Sequence, residues 1–146
     1  RDDQQLYFRE QAFAGFQLTQ DIQRQYNLSY EEAEAAKRTG QGLDSDFEEV
    51  VLRPYMENLA LEISRGLQFF FTSTHFNKID HLVLAGGGSV LAGLDEIVAN
   101  RTQVATVLAN PFVGMATHPR IVAAKLQLDA PALLIACGLA LRRFDA

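Results

Sequence analysis

Tryptophan is absent from this chain of 146 residues, and cysteine, methionine, histidine and proline are scarce, with one, two, three and four copies. A single cysteine, Cys137, excludes an internal disulfide. It lies in an apolar stretch, which suits a small core residue better than a nucleophile. That usage agrees with a cytosolic protein. His75, His81 and His118 share no metal-ligand spacing, and no carboxylate or Cys cluster joins them, so a zinc site is not expected. No Ser-His-Asp arrangement can be read from spacing, because residues distant in sequence cannot be placed by it. No Lys/Arg run occurs, and the net charge of −5 argues against a nucleic-acid surface. Long hydrophobic runs are missing too. The longest, residues 130–141, contains Pro131 and Gly138 and falls short of the ~18 residues of a membrane span. The opening Arg1-Asp2-Asp3-Gln4-Gln5 has no signal-peptide character. Without an initiator Met, the chain is expected to be a piece of something longer.

What is present is a composition of 48% hydrophobic and 21% charged residues, enough for a core. The chain is organised around residues 81–94, His-Leu-Val-Leu-Ala-Gly-Gly-Gly-Ser-Val-Leu-Ala-Gly-Leu. Residues 81–85 read as a strand covered on both faces. Gly86, Gly87 and Gly88 form a turn, and Ser89 is placed to cap a helix carrying Val90, Leu91, Leu94, Ile97 and Val98. On the local pattern such a junction is foremost a tight strand-to-helix turn, and it can also offer bare backbone to a polar ligand. It is neither of two common phosphate motifs. Gly88 and Gly93 have P-loop spacing, but Leu94 stands where Lys is needed; Gly86 and Gly88 fit a dinucleotide fingerprint, but Leu91 breaks it.

Before this stretch, residues 5–13 alternate weakly and predict an edge strand ended by Gly15. Thr19 is expected to cap a short helix over 20–26. Ser29 and Glu32 form a capping box for a helix to about Thr39. On it, Glu34 and Lys37 share one face; as an exposed ion pair they contribute roughly 0.2–0.5 kcal/mol. Ala33, Ala35 and Ala36 leave the helix small enough to approach a backbone or a planar ligand. Ser45 and Glu48 suggest a second capping box. The helix it opens runs to about Thr72 on the stripe Phe47, Val51, Tyr55, Leu59, Ile63, Leu67 and Phe70, with a kink or restart at Pro54. Phe69, Phe70 and Phe71 read as core. Beyond the glycine turn, residues 103–108 predict a strand stopped by Asn110-Pro111, and 119–126 a helical turn. Asp129 is expected to cap a closing helix with Pro131 near its start.

The order of these parts resembles the second half of the actin-like ATPases. The residues that carry the likeness are Gly15-Phe16-Gln17-Leu18-Thr19-Gln20-Asp21-Ile22, Ala33-Glu34-Ala35-Ala36-Lys37 and Leu84-Ala85-Gly86-Gly87-Gly88-Ser89. Within that superfamily the ending is similar to the PilM family of type IV pilus assembly proteins, on Ala109-Asn110-Pro111-Phe112 and Ala136-Cys137-Gly138-Leu139-Ala140-Leu141-Arg142. The short link from Lys37 to Phe47 also resembles PilM more than the division protein FtsA, whose membrane-binding C-terminal helix has no counterpart here.

The resemblance implies an α/β fold, an actin-like (ribonuclease-H-like) ATPase lobe over residues 1–146, as the C-terminal fragment of a two-lobed protein. About 18–40 would be a small helical subdomain inserted in the larger one. It implies ATP with Mg2+ as ligand of the whole protein. Gly86, Gly87, Gly88 and Ser89 would be the adenosine motif, Glu34 would accept from ribose hydroxyls, and Lys37 would lie along the adenine or reach its edge. The family's phosphate hairpins and Mg-associated acidic residues lie upstream, so this segment alone is expected to bind ATP weakly and not to hydrolyse it. The implied role is a cytoplasmic scaffold beneath the inner membrane, tying the pilus motor to the alignment complex. Its implied partner is the cytoplasmic N-terminal tail of PilN, held by the upstream lobe. The alternatives are the ATP-binding lobe of an actin-fold small-molecule kinase, or an FtsA-like division protein. Phe8, Phe13 and Phe16 are expected to be exposed and to drive self-association of the segment.

Overall fold

A computed structural model describes residues 7–13 and 15–142. The chain forms two compact units, residues 1–78 and 79–146.

The described part of the first unit is helical. Helix α1 (Gly15–Tyr26) begins at Gly15, where the sequence suggested that a strand ended. Residues 7–13 form no strand, and residues 5 and 6 lie outside the described residues. The weak alternation of that segment is instead used by aromatic contacts. Phe13 stacks on Tyr55 with ring centroids 5.4 Å apart, so it is half-buried rather than exposed. The Arg9 guanidinium lies 3.7 Å over the Phe69 ring. Phe8 and Phe16 are exposed.

Helix α2 (Tyr30–Thr39) carries the expected capping box. The Ser29 hydroxyl accepts from the Glu32 N–H, and Glu32 accepts from the Ser29 N–H. Gly40, at φ 70°, ends the helix in the left-handed conformation that costs a glycine least. Helices α1 and α2 pack through Leu18, Thr19 and Ile22 on one side and Ala33 and Ala36 on the other, all buried. The small residues Ala33 and Ala36 therefore face α1, while Ala35 faces out. Thr19 is interior to α1 and fully buried, so it is no cap.

The long helix α3 (Arg53–Ser73) is preceded by a π-helical turn, Glu48–Leu52. Pro54 sits at the start of α3, but Leu52 and Arg53 keep helical angles across the junction, so the winding changes from π to α there without a break. No side-chain cap of the Ser45 type is present at this start. Val51 and Tyr55 of the expected stripe are buried, joined by Met56 and Ala60.

The second unit contains a parallel βαβ pattern. Strand β1 (Leu82–Leu84) pairs with β2 (Thr106–Leu108), with Val83 opposite Val107. Both valines are exposed, at 61% and 46%, so the pair is covered on one face and not two. Between the strands run a 3-10 turn, Gly87–Val90, and helix α4 (Leu94–Thr102). The predicted single helix is thus divided. Gly93, at φ 79°, opens α4, and Ser89 does not cap it. Leu94 and Val98 of α4 are buried.

The closing stretch is α5 (Ala123–Asp129), a 3-10 turn, Ala130–Leu133, and α6 (Leu134–Leu141). Asp129 ends α5 rather than capping the last helix. Together Ala123–Leu141 is long and apolar enough to cross a membrane by length and composition, which the interrupted run 130–141 did not suggest. Ala130 and Pro131 are nevertheless buried in the unit, and the Pro131 carbonyl accepts from the Gly86 N–H at 2.8 Å. That bond seats the stretch on the glycine turn.

Candidate functional site

Glu34 and Lys37 belong to the first unit and the glycine turn to the second. In the first, α2 places Glu34 and Lys37 on the face that meets α1. Their side chains are 23% and 21% exposed, so the pair is not the solvated surface pair that spacing alone allows. Lys37 Nζ lies 2.7 Å from Glu34 Oε2, 2.7 Å from Thr19 Oγ1 and 3.2 Å from the Gly15 carbonyl. The ammonium has three protons and three acceptors. The Thr19 hydroxyl has one proton and two acceptors within reach, Glu34 Oε2 at 2.6 Å and the Gly15 carbonyl at 3.2 Å. The nearer, charged acceptor takes it. Glu34 Oε2 thus receives two charge-assisted or short bonds, while among the described residues Oε1 has only the exposed Arg38 guanidinium at 3.5 Å. The bond from Lys37, then that from Thr19, hold the Glu34 carboxyl below its ordinary value against the opposing effect of desolvation.

Sequence reading found Glu34 and Lys37 but assigned Thr19 to a cap. A hydroxyl four residues into a helix, among apolar neighbours at 18 and 22, was the signal for a buried polar role.

In the second unit the turn leaves the carboxyl end of β1, the edge of an open α/β sheet where ligands are bound. Gly86 has φ 94° and ψ 168°, a conformation that is almost confined to glycine. Its N–H is tied to Pro131, and its carbonyl accepts from the Ser89 N–H at 3.1 Å and the Ser89 hydroxyl at 2.7 Å. Ser89 is buried, so its side chain braces the turn. Gly87 and Gly88 differ. Neither has a positive φ, and a Cβ built on either meets no described atom within 4 Å. Backbone geometry explains the first glycine of the three and not the other two. Bare backbone at 87 and 88 suits the close approach of something outside these elements.

Two clefts, one beside Asp21, Arg24 and Tyr55 and one beside Asn110, Phe112 and Met115, include none of these residues. Among the described residues no group of three or more His, Cys, Asp or Glu could hold a metal ion.

A parallel strand pair opening into a braced glycine turn, within a helix-rich chain, is an arrangement of the actin-like fold, and comparison with solved structures supports that class. Residues 1–144 match the family of the type IV pilus assembly protein PilM. The chain belongs to that family. It is also similar to a chain of a PilM-PilN type IV pilus biogenesis complex, with 32% identity and a TM-score of 0.77. That match covers 96% of this chain and 40% of the other, so this chain spans less than half the length of the protein it resembles.

Proposed function

We propose that the chain is the nucleotide-side, C-terminal lobe of a PilM-type scaffold that works in type IV pilus assembly in the cytoplasm, held at the inner membrane through partners. The family match over residues 1–144 carries this reading. The similar structure is a PilM-PilN complex, and this supports the N-terminal tail of a PilN-type protein as the partner of the intact protein. ATP, accompanied by Mg2+, is the ligand we assign. Two features support it: a carboxylate fixed through one oxygen, its other facing an exposed guanidinium, and glycines at 87 and 88 that the backbone does not require. Glu34, Lys37, Gly86, Gly87, Gly88 and Ser89 are its residues in this chain, with about 18–40 as the small helical subdomain. Nucleotide acts on conformation: ATP favours one state, and the partner reads that state.

The test is calorimetry of ATP and of a PilN-tail peptide on the intact protein. Glu34→Ala, Lys37→Ala and Gly87→Val are each expected to weaken ATP binding. Unchanged affinity in all three would remove the nucleotide assignment and leave the family role standing.

A further inference from the structure

We infer that the cleft between α1 and the start of α3 is a docking site for an arginine side chain on a basic segment of a partner protein, with Asp21 and Tyr55 as its polar contacts. The inference does not depend on the nucleotide reading and uses none of its residues.

The cleft lies within the first unit and has a volume of 320 Å³. The π-helical turn Glu48–Leu52 borders it, and such turns recur at functional sites. Val51 of this turn is buried while its neighbour Val50 is 44% exposed, and Val50 and Pro54 give the cleft an apolar wall. Asp21 and Tyr55 line it as well. Asp21 Oδ1 accepts from Gln17 at 3.2 Å and faces Arg24 at 3.6 Å; among the described residues Oδ2 has no hydrogen bond. Arg24 is 70% exposed, so that pair is weak and open to exchange. Tyr55 is 3% exposed and its ring stacks on Phe13, yet among the described residues its hydroxyl makes no hydrogen bond. Among the described residues the one sealed side-chain oxygen or nitrogen without a well-formed hydrogen bond belongs to Tyr26, so the Tyr55 hydroxyl opens on the cleft it lines. Burial, and then the charge of Asp21, raise the Tyr55 hydroxyl above its ordinary value and keep it neutral. A buried hydroxyl and a carboxylate oxygen without donors, beside an apolar wall, suit a group with several N–H donors on an apolar stem. An arginine side chain supplies both.

The wider charge agrees. A second hollow, of 390 Å³, adjoins the same turn and is lined by Asp46, Glu48 and Glu49 with Arg53. The two clefts together carry four carboxylates against two guanidiniums, which favours a basic segment over a second copy of this chain, whose net charge is −5.

The experiment titrates N-acetylarginine methylamide into the intact protein and follows its backbone amide NMR signals, with N-acetylcitrulline methylamide as the uncharged isostere. Shifts are expected over residues 21–25 and 47–58 with a dissociation constant of about 1–10 mM. The citrulline probe is expected to bind about tenfold more weakly. Asp21→Asn and Tyr55→Phe keep the shape of their side chains and are each expected to weaken the arginine probe by about threefold or more. Glu96→Gln removes an exposed carboxylate from the second unit and is expected to leave binding unchanged. Equal binding of the two probes, an equal loss in all three variants, or no loss in Asp21→Asn and Tyr55→Phe would overturn the inference. So would an absence of shifts in the cleft, which would show it filled by another part of the intact chain. Shifts there that follow protein concentration instead of probe would assign the cleft to a second copy and overturn it as well.

Discussion

The three glycines of the turn differ in a way that substitution can separate. At Gly86, alanine would meet no described atom within 4 Å, so its cost is conformational rather than steric. A non-glycine residue at φ 94° and ψ 168° costs about 1–3 kcal/mol. The bonds at Gly86, to Pro131 and from Ser89, would loosen with it. At Gly87 the backbone suits any residue, and alanine lowers the entropy of the unfolded chain, a gain of about 0.4–1 kcal/mol. The two substitutions should therefore differ by at least about 1.4 kcal/mol, or tenfold in a local opening equilibrium. The assay is amide hydrogen exchange over residues 82–94 of the intact protein. It reads local opening and needs no two-state unfolding, which a chain of two units need not follow. Gly86→Ala should raise exchange and Gly87→Ala should lower it. ATP affinity should fall in Gly87→Ala in spite of the firmer turn, because a methyl group would stand where the ligand approaches. Loss of protection in Gly87→Ala as large as in Gly86→Ala would refute this reasoning, since the fold itself would then require both glycines.

Two further outcomes are expected. Both Glu32 and Glu34 on α2 have carboxyls held below their ordinary value of 4.5, Glu32 by the Ser29 hydroxyl and N–H, Glu34 by Lys37 and Thr19. Lowered folded values mean that their contribution is complete above about pH 4.5 and is lost as pH falls through the folded values. Exchange in α2 should rise over that acid range, and Glu32→Gln with Glu34→Gln should flatten the dependence; an unchanged pH profile in the double variant would contradict the assignment. The Tyr26 hydroxyl is buried and lies near the Asp44 backbone without a well-formed hydrogen bond among the described residues, while its ring packs near Phe47. Tyr26→Phe should hold or raise thermal stability by up to about 1 kcal/mol, and a loss larger than that would show that the hydroxyl has a partner.

Local chemistry made much of this chain readable. The Ser29 and Glu32 capping box needs only residues within four positions, and it formed as the sequence indicated. The stripe through Val51 and Tyr55, the change of winding at Pro54 and the strand before Gly86 follow from periodicity and from the missing proline N–H. The order of motifs also pointed to the family. What sequence could not determine depends on partners distant in the chain. Thr19 looked like a cap because Ser and Thr favour that place, but Glu34 and Lys37, 15 and 18 residues away, draw its hydroxyl inside. Spacing made Glu34 and Lys37 a surface pair; packing of α2 on α1 made them a shielded one, tied to Thr19. Three successive glycines read alike in sequence, yet only the backbone angles distinguish Gly86, which the turn requires, from Gly87 and Gly88, which it does not. Sequence determined the residue types and the local caps, because those interactions close within one turn of helix. Tertiary structure decided which hydroxyl, ammonium and glycine were committed to the fold, because hydrogen-bond capacity is finite and packing decides which groups share it.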